Sequence, residues 1–178
     1  MSVTIRKLSE GENSFAKQFN RKSIVNSRLM LGIENEKLTY TIVPVESPYE
    51  REVQLEDTDY GFNEVPPTVF IAEVDRSAKL AGRIRLLKWW NQFGYIEDLV
   101  VNPDFRGMGI GRTLIERGIQ WARELHLPGV MLETQDDNVP ACTLYASCGF
   151  VLSGFDRNVY KAINPQTRET ALYWYLIF

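Results

Sequence analysis

Apolar positions are unevenly ordered along this chain, and the regular pattern begins near residue 69. Val69–Val74 and Leu80–Trp89 carry the dense apolar content of buried strands, with Asp75-Arg-Ser-Ala78 as the turn between them. Asn91-Gln-Phe-Gly94 turns the chain into a third strand, Tyr95–Val101. The period then becomes helical. Leu114, Ile115, Ile119, Ala122 and Leu125 share one face of a helix over Gly111–Leu125, which Leu127-Pro128-Gly129 ends. Val130–Thr134 reads as a short buried strand. Asn138 stands where a helix over Val139–Cys148 needs a cap, with Pro140 in its first turn and Gly149 at its stop. Val151–Tyr160 and Ala171–Ile177 are the last predicted strands.

The pattern before residue 68 is weaker. Residues 1–25 read as polar and irregular, with a short helix near Asn13–Asn20. Ser27–Glu34 and Leu38–Val45 predict a hairpin around Asn35-Glu36. An acidic stretch follows, with Glu46, Glu50, Glu52, Glu56, Asp57, Asp59 and Glu64 against the single Arg51, up to Pro66-Pro67. Such a charge run forms a solvated loop or frayed helix, or else a lip that attracts cations. Strands that first form hairpins and then alternate with helices predict the α/β (α+β) class, a mixed sheet flanked by helices within one domain over residues 1–178.

Composition narrows the function classes. A chain of 178 residues suffices for one good core and is short for two ordinary domains. No apolar run reaches the roughly 18 residues that would span a bilayer, and the N-terminal residues lack the apolar core of a secretion signal. The expected location is therefore cytoplasmic, without membrane contact. Cys142 and Cys148 lie on one predicted helix and are expected to be reduced. His126, the one histidine, gives no zinc set, so no metal is expected. The net charge of −3 argues against nucleic acid and favours a cationic partner.

The sharpest chemical signal is Arg106-Gly-Met-Gly-Ile-Gly-Arg112, between a predicted strand and a predicted helix. A glycine-rich loop entering a helix presents backbone N–H groups and the positive end of the helix dipole to an anion. Arg106 and Arg112 add formal charge, and the ligand implied is a diphosphate held mainly by main chain. The spacing departs from the dinucleotide fingerprint, and Gly111-Arg112-Thr113 lacks the lysine of a P-loop.

The run instead fits Arg-x-x-Gly-x-Gly and resembles the acetyl-CoA loop of the GNAT acetyltransferase superfamily. A second segment, Asn138-Val-Pro-Ala-Cys-Thr-Leu-Tyr145-Ala-Ser-Cys-Gly-Phe150, resembles that superfamily's Asn-x-x-Ala-x-x-Leu-Tyr-x-x-x-Gly-Phe signature. Tyr95-Ile-Glu-Asp-Leu-Val-Val101, Leu132-Glu-Thr-Gln-Asp-Asp-Asn138, Gly154-Phe-Asp156 and Glu169-Thr-Ala-Leu-Tyr-Trp-Tyr175 are similar to the streptothricin acetyltransferases within it. The resemblance is specific from about Trp89 to the C-terminus.

That resemblance implies a GNAT fold, acetyl-CoA as co-substrate and a small cationic, streptothricin-like amine as acceptor. Acetylating the β-lysine amine of streptothricin would remove a positive charge and confer resistance. Another polycationic amine, a protein amine, or a non-catalytic acetyl-CoA-binding role are the alternatives. The resemblance also leaves room for a homodimer. Residue by residue, it places Leu99, Val100, Val101, Arg106, Gly107, Met108, Gly109, Ile110, Gly111, Arg112, Asn138, Ala141 and Tyr145 at the cofactor. Leu99, Val100 and Val101 act there through the backbone alone, their side chains being core. Tyr145 matches the family's proton donor toward the CoA sulfur, a task a neutral phenol suits.

The acceptor must also lose a proton. An aliphatic amine of pKa about 10.4 is only ~0.04% neutral at pH 7, a deficit of roughly 4–5 kcal/mol. Glu133, Glu97 and Asp98 compete as the base, with Glu133 slightly ahead. The carboxylates of this set, with Asp156, are the candidates to bind the substrate's ammonium groups. Glu97 and Asp98, adjacent on one strand, are expected on opposite faces. Ion pairs to Arg83 or Arg85 on the neighbouring strand are the structural alternative for both. Direct transfer in a ternary complex is expected, because neither cysteine has a histidine partner.

Overall fold

In a computed structural model of the protein, residues 2–9, 12, 22–52, 66–74 and 79–178 are described. Among these residues, nine strands and two α-helices follow in the order β1 (Val3–Lys7), β2 (Lys22–Glu34), β3 (Lys37–Glu52), β4 (Thr68–Val74), β5 (Lys79–Lys88), β6 (Gly94–Val101), α1 (Ile110–Glu124), β7 (Gly129–Gln135), α2 (Val139–Ser147), β8 (Val151–Asp156) and β9 (Ala171–Ile177). The expected helix near Asn13–Asn20, the turn at 75–78 and the acidic residues from 56 to 64 lie outside the described residues. No helix among those described is long and apolar enough to cross a membrane.

The described residues fall into two compact units. In the first, spanning residues 1–20, 56–130 and 177–178, strands run in the order β1-β4-β5-β6, each pair antiparallel. β1 is a correction to the sequence reading, which takes residues 1–25 as irregular. Its five residues are mostly exposed and carry little apolar signal, but Val3 to Lys7 pair with Val74 to Phe70.

Helix α1 covers this sheet. Ile110, Leu114, Ile115, Trp121 and Ala122 are buried on it, each large apolar side chain contributing about 1.5–3 kcal/mol. Leu125, expected on that face, is 39% exposed just past the helix end, and Trp121 takes the buried place. Gly118 brings helix and sheet close. A Cβ there would stand 3.2 Å from both Ile84 and Leu86. Arg117 lies over the Phe70 ring, 4.1 Å from its centroid.

The second unit spans residues 21–55 and 131–176. It holds the hairpin β2-β3, strands ordered β7-β9-β8, and helix α2. The hairpin turns at Asn35-Glu36, both with positive φ, as the sequence indicates. Its arms are longer than expected. β2 starts at Lys22, and β3 continues through Glu46, Glu50 and Glu52, so this part of the acidic stretch is strand rather than loop. β8 stops at Asp156, four residues before its predicted end, because Asp156 Oδ1 accepts from the backbone N–H groups of Asn158 and Val159 and turns the chain. The core of this unit includes Leu29, Leu132, Cys142, Leu152, Leu172 and Trp174.

Candidate active site

In the first unit, the chain leaves β6 through a short 3-10 turn, Pro103–Phe105, and reaches the glycine loop. Gly107 and Gly109 both have positive φ, at 76° and 81°. This conformation is costly for other residues and explains two of the loop's glycines. A Cβ at either would meet nothing within 4 Å, so the backbone faces open space. Gly109 is the N-cap of α1, whose first turn receives no side-chain cap. Gly109 has no side chain to cap the first N–H groups of the helix, which lie at the loop. Arg106, Met108 and Arg112 are exposed, Ile110 and Gly111 buried, and Arg106 Nε reaches the Val101 carbonyl at 3.4 Å. Leu99, Val100 and Val101 are half-buried rather than full core.

Glu97 and Asp98 form ion pairs. Arg83 Nε lies 2.7 Å from Asp98, and Arg85 Nη1 lies 2.5 Å from Glu97, all four side chains nearly or fully buried. The opposite-face expectation fails here. The register passes from Arg85↔Asp98 to Leu86↔Ile96, which leaves Glu97 as the extra residue of a β-bulge. Arg83 and Arg85 share a face of β5, and both carboxylates reach them.

The second unit gathers Glu133, Gln135 and Asp137 on one side of β7 and its continuation. Tyr160 donates a hydrogen bond to Glu133 Oε1 and accepts one from Gln135 Nε2 at 3.0 Å. Arg51 Nη1 donates to Gln135 at 3.1 Å and to Asp137 at 2.8 Å, and Tyr49 donates to Asp137 at 2.7 Å. Asp136 takes Arg28 Nε at 3.0 Å. Of these carboxyl groups, Asp136 and Asp137 have arginine partners. Glu133 and the nearby Glu169 have no ion-pair partner among the described residues. Burial holds both of their pKa values above the ordinary range. For Glu133 the Tyr160 hydrogen bond opposes that shift and Glu169 adds to it.

Asn138 occupies the N-cap position of α2, but its side chain makes no capping bond. The amide turns back to Thr134 Oγ1 at 3.3 Å, which corrects the expected cap. Ala141 is half-buried in α2. Tyr145 is buried there, its ring 6.1 Å from that of Phe150. Asp156 serves the turn after β8, as described above. Cys142 is a buried thiol, pushed up to about 12 by burial, and Cys148 is half-buried; neither is in a disulfide.

The sequence profile of the acetyltransferase (GNAT) family matches residues 32–150. The chain belongs to the GNAT acetyltransferase family. This acetyltransferase is 34% identical to streptothricin acetyltransferase A of Bacillus subtilis, over 91% of its own length and 94% of that protein. It is 41% identical to a streptothricin acetyltransferase of Escherichia coli, over 72% and 71% of the two chains. A crystal structure assigned as a streptothricin acetyltransferase from Bacillus anthracis, in complex with acetyl coenzyme A, superposes with a TM-score of 0.87. That structure is 39% identical and covers 99% of this chain and 100% of its own. The acetyltransferase therefore has the family's mixed sheet of antiparallel and parallel strands flanked by helices.

Acetyl-CoA is the family's acetyl donor, and the glycine loop fits its diphosphate. Two left-handed glycines open onto free space and an uncapped helix start is flanked by two exposed arginines. Among the described residues no cluster of His, Cys, Asp and Glu is arranged to hold a metal ion. The sequence reading does not single out Tyr160, Arg51, Tyr49 or Asp137. Tyr160 sits where a strand is expected, and the signal for it was the turn-forming pair Asp156 and Asn158.

Proposed function

We propose that this acetyltransferase moves the acetyl group of acetyl-CoA to the β-lysine amine of streptothricin, and so protects its host from the antibiotic. The observation that carries the cationic acceptor is the pair Glu133 and Glu169. They are two neighbouring carboxyl groups, at least partly withdrawn from water, with no ion-pair partner among the described residues. Burying an anion without a partner costs several kcal/mol, and an ammonium group of the substrate would offset that cost. Full-length similarity to streptothricin acetyltransferases supports the identity of the amine.

Bound acetyl-CoA supplies an activated thioester. The glycine loop, from Arg106 to Arg112, holds its diphosphate, and the backbone of Leu99, Val100 and Val101 holds the arm that carries the thioester. Glu133 accepts the proton of the substrate ammonium. Its upward-shifted pKa brings it closer to that of a base matched to neutral pH. Tyr145 gives the phenolic proton to the departing sulfur. Glu169 and Glu133 attract the substrate's charges, while Glu97 and Asp98 stay in their ion pairs and hold β5 to β6. The high thiol pKa of Cys142 fits direct transfer rather than an acetyl-cysteine.

Thiol release from acetyl-CoA, with and without streptothricin, tests both parts. The wild type is expected to give saturable, streptothricin-dependent release. Tyr145→Phe should lower kcat by about 10²-fold or more with acetyl-CoA affinity unchanged. Release from another amine alone would discard streptothricin, and an unchanged kcat in Tyr145→Phe would remove Tyr145 as the acid.

A further inference from the structure

Four side chains of the second unit form a directed line of hydrogen bonds. Arg51 Nη1 donates to Gln135 Oε1, Gln135 Nε2 donates to Tyr160 Oη, and Tyr160 O–H donates to Glu133 Oε1. Each member offers a donor to the next, so the line runs from a guanidinium to a carboxylate with every bond pointing the same way. Such chains polarise cooperatively. The carboxylate end is the group assigned above as base.

Tyr160, the third member, comes from outside β7. Glu133 and Gln135 lie two apart on β7 and share its face, whereas Tyr160 belongs to the turn after β8. That turn is fixed twice. Asp156 Oδ1 accepts from the Asn158 and Val159 N–H groups at 2.7 and 3.3 Å, and the Tyr160 carbonyl accepts from the N–H groups of Ile163 and Asn164. Burial and the adjacent Glu133 carboxylate push the Tyr160 phenol far above its usual pKa, so it remains a donor at any working pH. Its bond occupies Oε1 of Glu133. Oε2 accepts no hydrogen bond among the described residues and is left for the incoming proton.

We propose that Tyr160 is the positioning residue of this acetyltransferase. By bridging Gln135 and Glu133 it fixes the rotamer of the base, commits one carboxylate oxygen and leaves the other for the substrate amine. The proposal rests on the assignment of Glu133 as base. It also gives Asp156, expected from the sequence to bind substrate, a role one step removed, as the residue that sets the turn carrying Tyr160.

Among the described residues, the groups that face Glu133 are Tyr160 from the turn, Glu169 from the connection before β9, and Tyr173 on β9. Tyr160 alone among them stabilises the carboxylate through a hydrogen bond, and Glu169 opposes it. Deleting the phenolic oxygen therefore raises the pKa of Glu133 and frees its rotamer.

The test is a cycle of four proteins: wild type, Tyr160→Phe, Glu133→Gln and the double variant. Each is assayed with streptothricin and varied acetyl-CoA between about pH 5.5 and 9. Tyr160→Phe is expected to lower kcat about tenfold and to move the acid limb of the profile to higher pH, with the KM for acetyl-CoA unchanged. In the Glu133→Gln background the same change should have no further effect on kcat. An acid limb that stays in place in Tyr160→Phe, or an equal loss in both backgrounds, overturns the positioning role. Wild-type activity in Glu133→Gln instead overturns the base assignment itself, so the two failures are distinguishable. Should Tyr160→Phe fail to fold, Gln135→Leu removes the donor behind Tyr160 and is expected to shift the limb the same way by a smaller amount. An unshifted limb in that variant overturns the proposal.

Discussion

Single residues decide what this chain can hold, and the glycines separate two reasons for having no side chain. At Gly107 the backbone is left-handed and the space beside it empty. Alanine there meets conformational strain of about 1–2 kcal/mol and puts a methyl where a diphosphate would lie. At Gly82 the φ is ordinary but an added Cβ would stand 2.8 Å from the Val100 carbonyl and 3.1 Å from Leu114. Overpacking of that kind costs about 1–3 kcal/mol, and backbone must move to relieve it. Gly82→Ala is therefore expected to lower the urea midpoint more than Gly107→Ala. Gly107→Ala should weaken acetyl-CoA binding about tenfold, a loss of about 1.4 kcal/mol. Calorimetric titration beside urea unfolding of both variants checks the ranking, and a Gly107→Ala protein with wild-type affinity would remove that glycine from the cofactor site. Gly107 was legible from the glycine run it belongs to, whereas Gly82, a lone glycine inside a predicted strand, was not. Tyr160 was not, because a tyrosine after an apolar run reads as strand, and its function depends on a turn made four residues earlier.

At the scale of elements, strands β5 and β6 carry a buried ionic ladder where a sheet interior normally holds apolar side chains. Arg83–Asp98 has side chains only 5% and 7% exposed. Removing one partner strands the other charge, so Asp98→Asn should destabilise by about 3–5 kcal/mol. Replacing both, as Arg83→Met with Asp98→Leu, should recover most of that loss or exceed it. Urea unfolding of the single and double variants reads the difference. Activity of the refolded double variant then decides the second question. If it retains the wild-type KM for streptothricin, Asp98 is structural; a large rise in that KM would return Asp98 to the substrate. The sequence holds the alternative of this pairing but not its geometry, since a bulge at Glu97 is what brings neighbouring carboxylates to arginines of one face. The hairpin shows the converse limit. Its tip was legible from Asn35-Glu36, but β3 was cut short at Val45 because the run of glutamates after it reads as a solvated loop. In a two-stranded ribbon every strand is an edge, so prolines and charges are tolerated along it.

Over the whole molecule, the two carboxyl groups proposed to serve catalysis set stability against activity. Glu133 and Glu169 both titrate above their ordinary range in the fold, chiefly through burial. In the unfolded chain they titrate near pH 4.3. Between those values the native state binds protons that the unfolded state has released. The slope of unfolding free energy with pH is then negative, and stability falls as pH rises. The contribution is complete below the unfolded pKa and is lost as pH climbs through the folded one. Glu12, whose pKa is lowered mainly by its Arg6 hydrogen bond, works in the opposite sense, but its ion pair is solvent-screened. Activity needs the ionised form of Glu133 and should rise over the same interval in which stability declines. The expected signature is a difference. The advantage of wild type over Glu133→Gln/Glu169→Gln in unfolding free energy should be greater at about pH 5 than at about pH 8. The double variant should be nearly inactive throughout. Urea unfolding at both pH values measures it. A difference that stays constant with pH would mean that neither carboxyl is shifted by the fold, and with that the account of Glu133 as a base tuned by burial would fail.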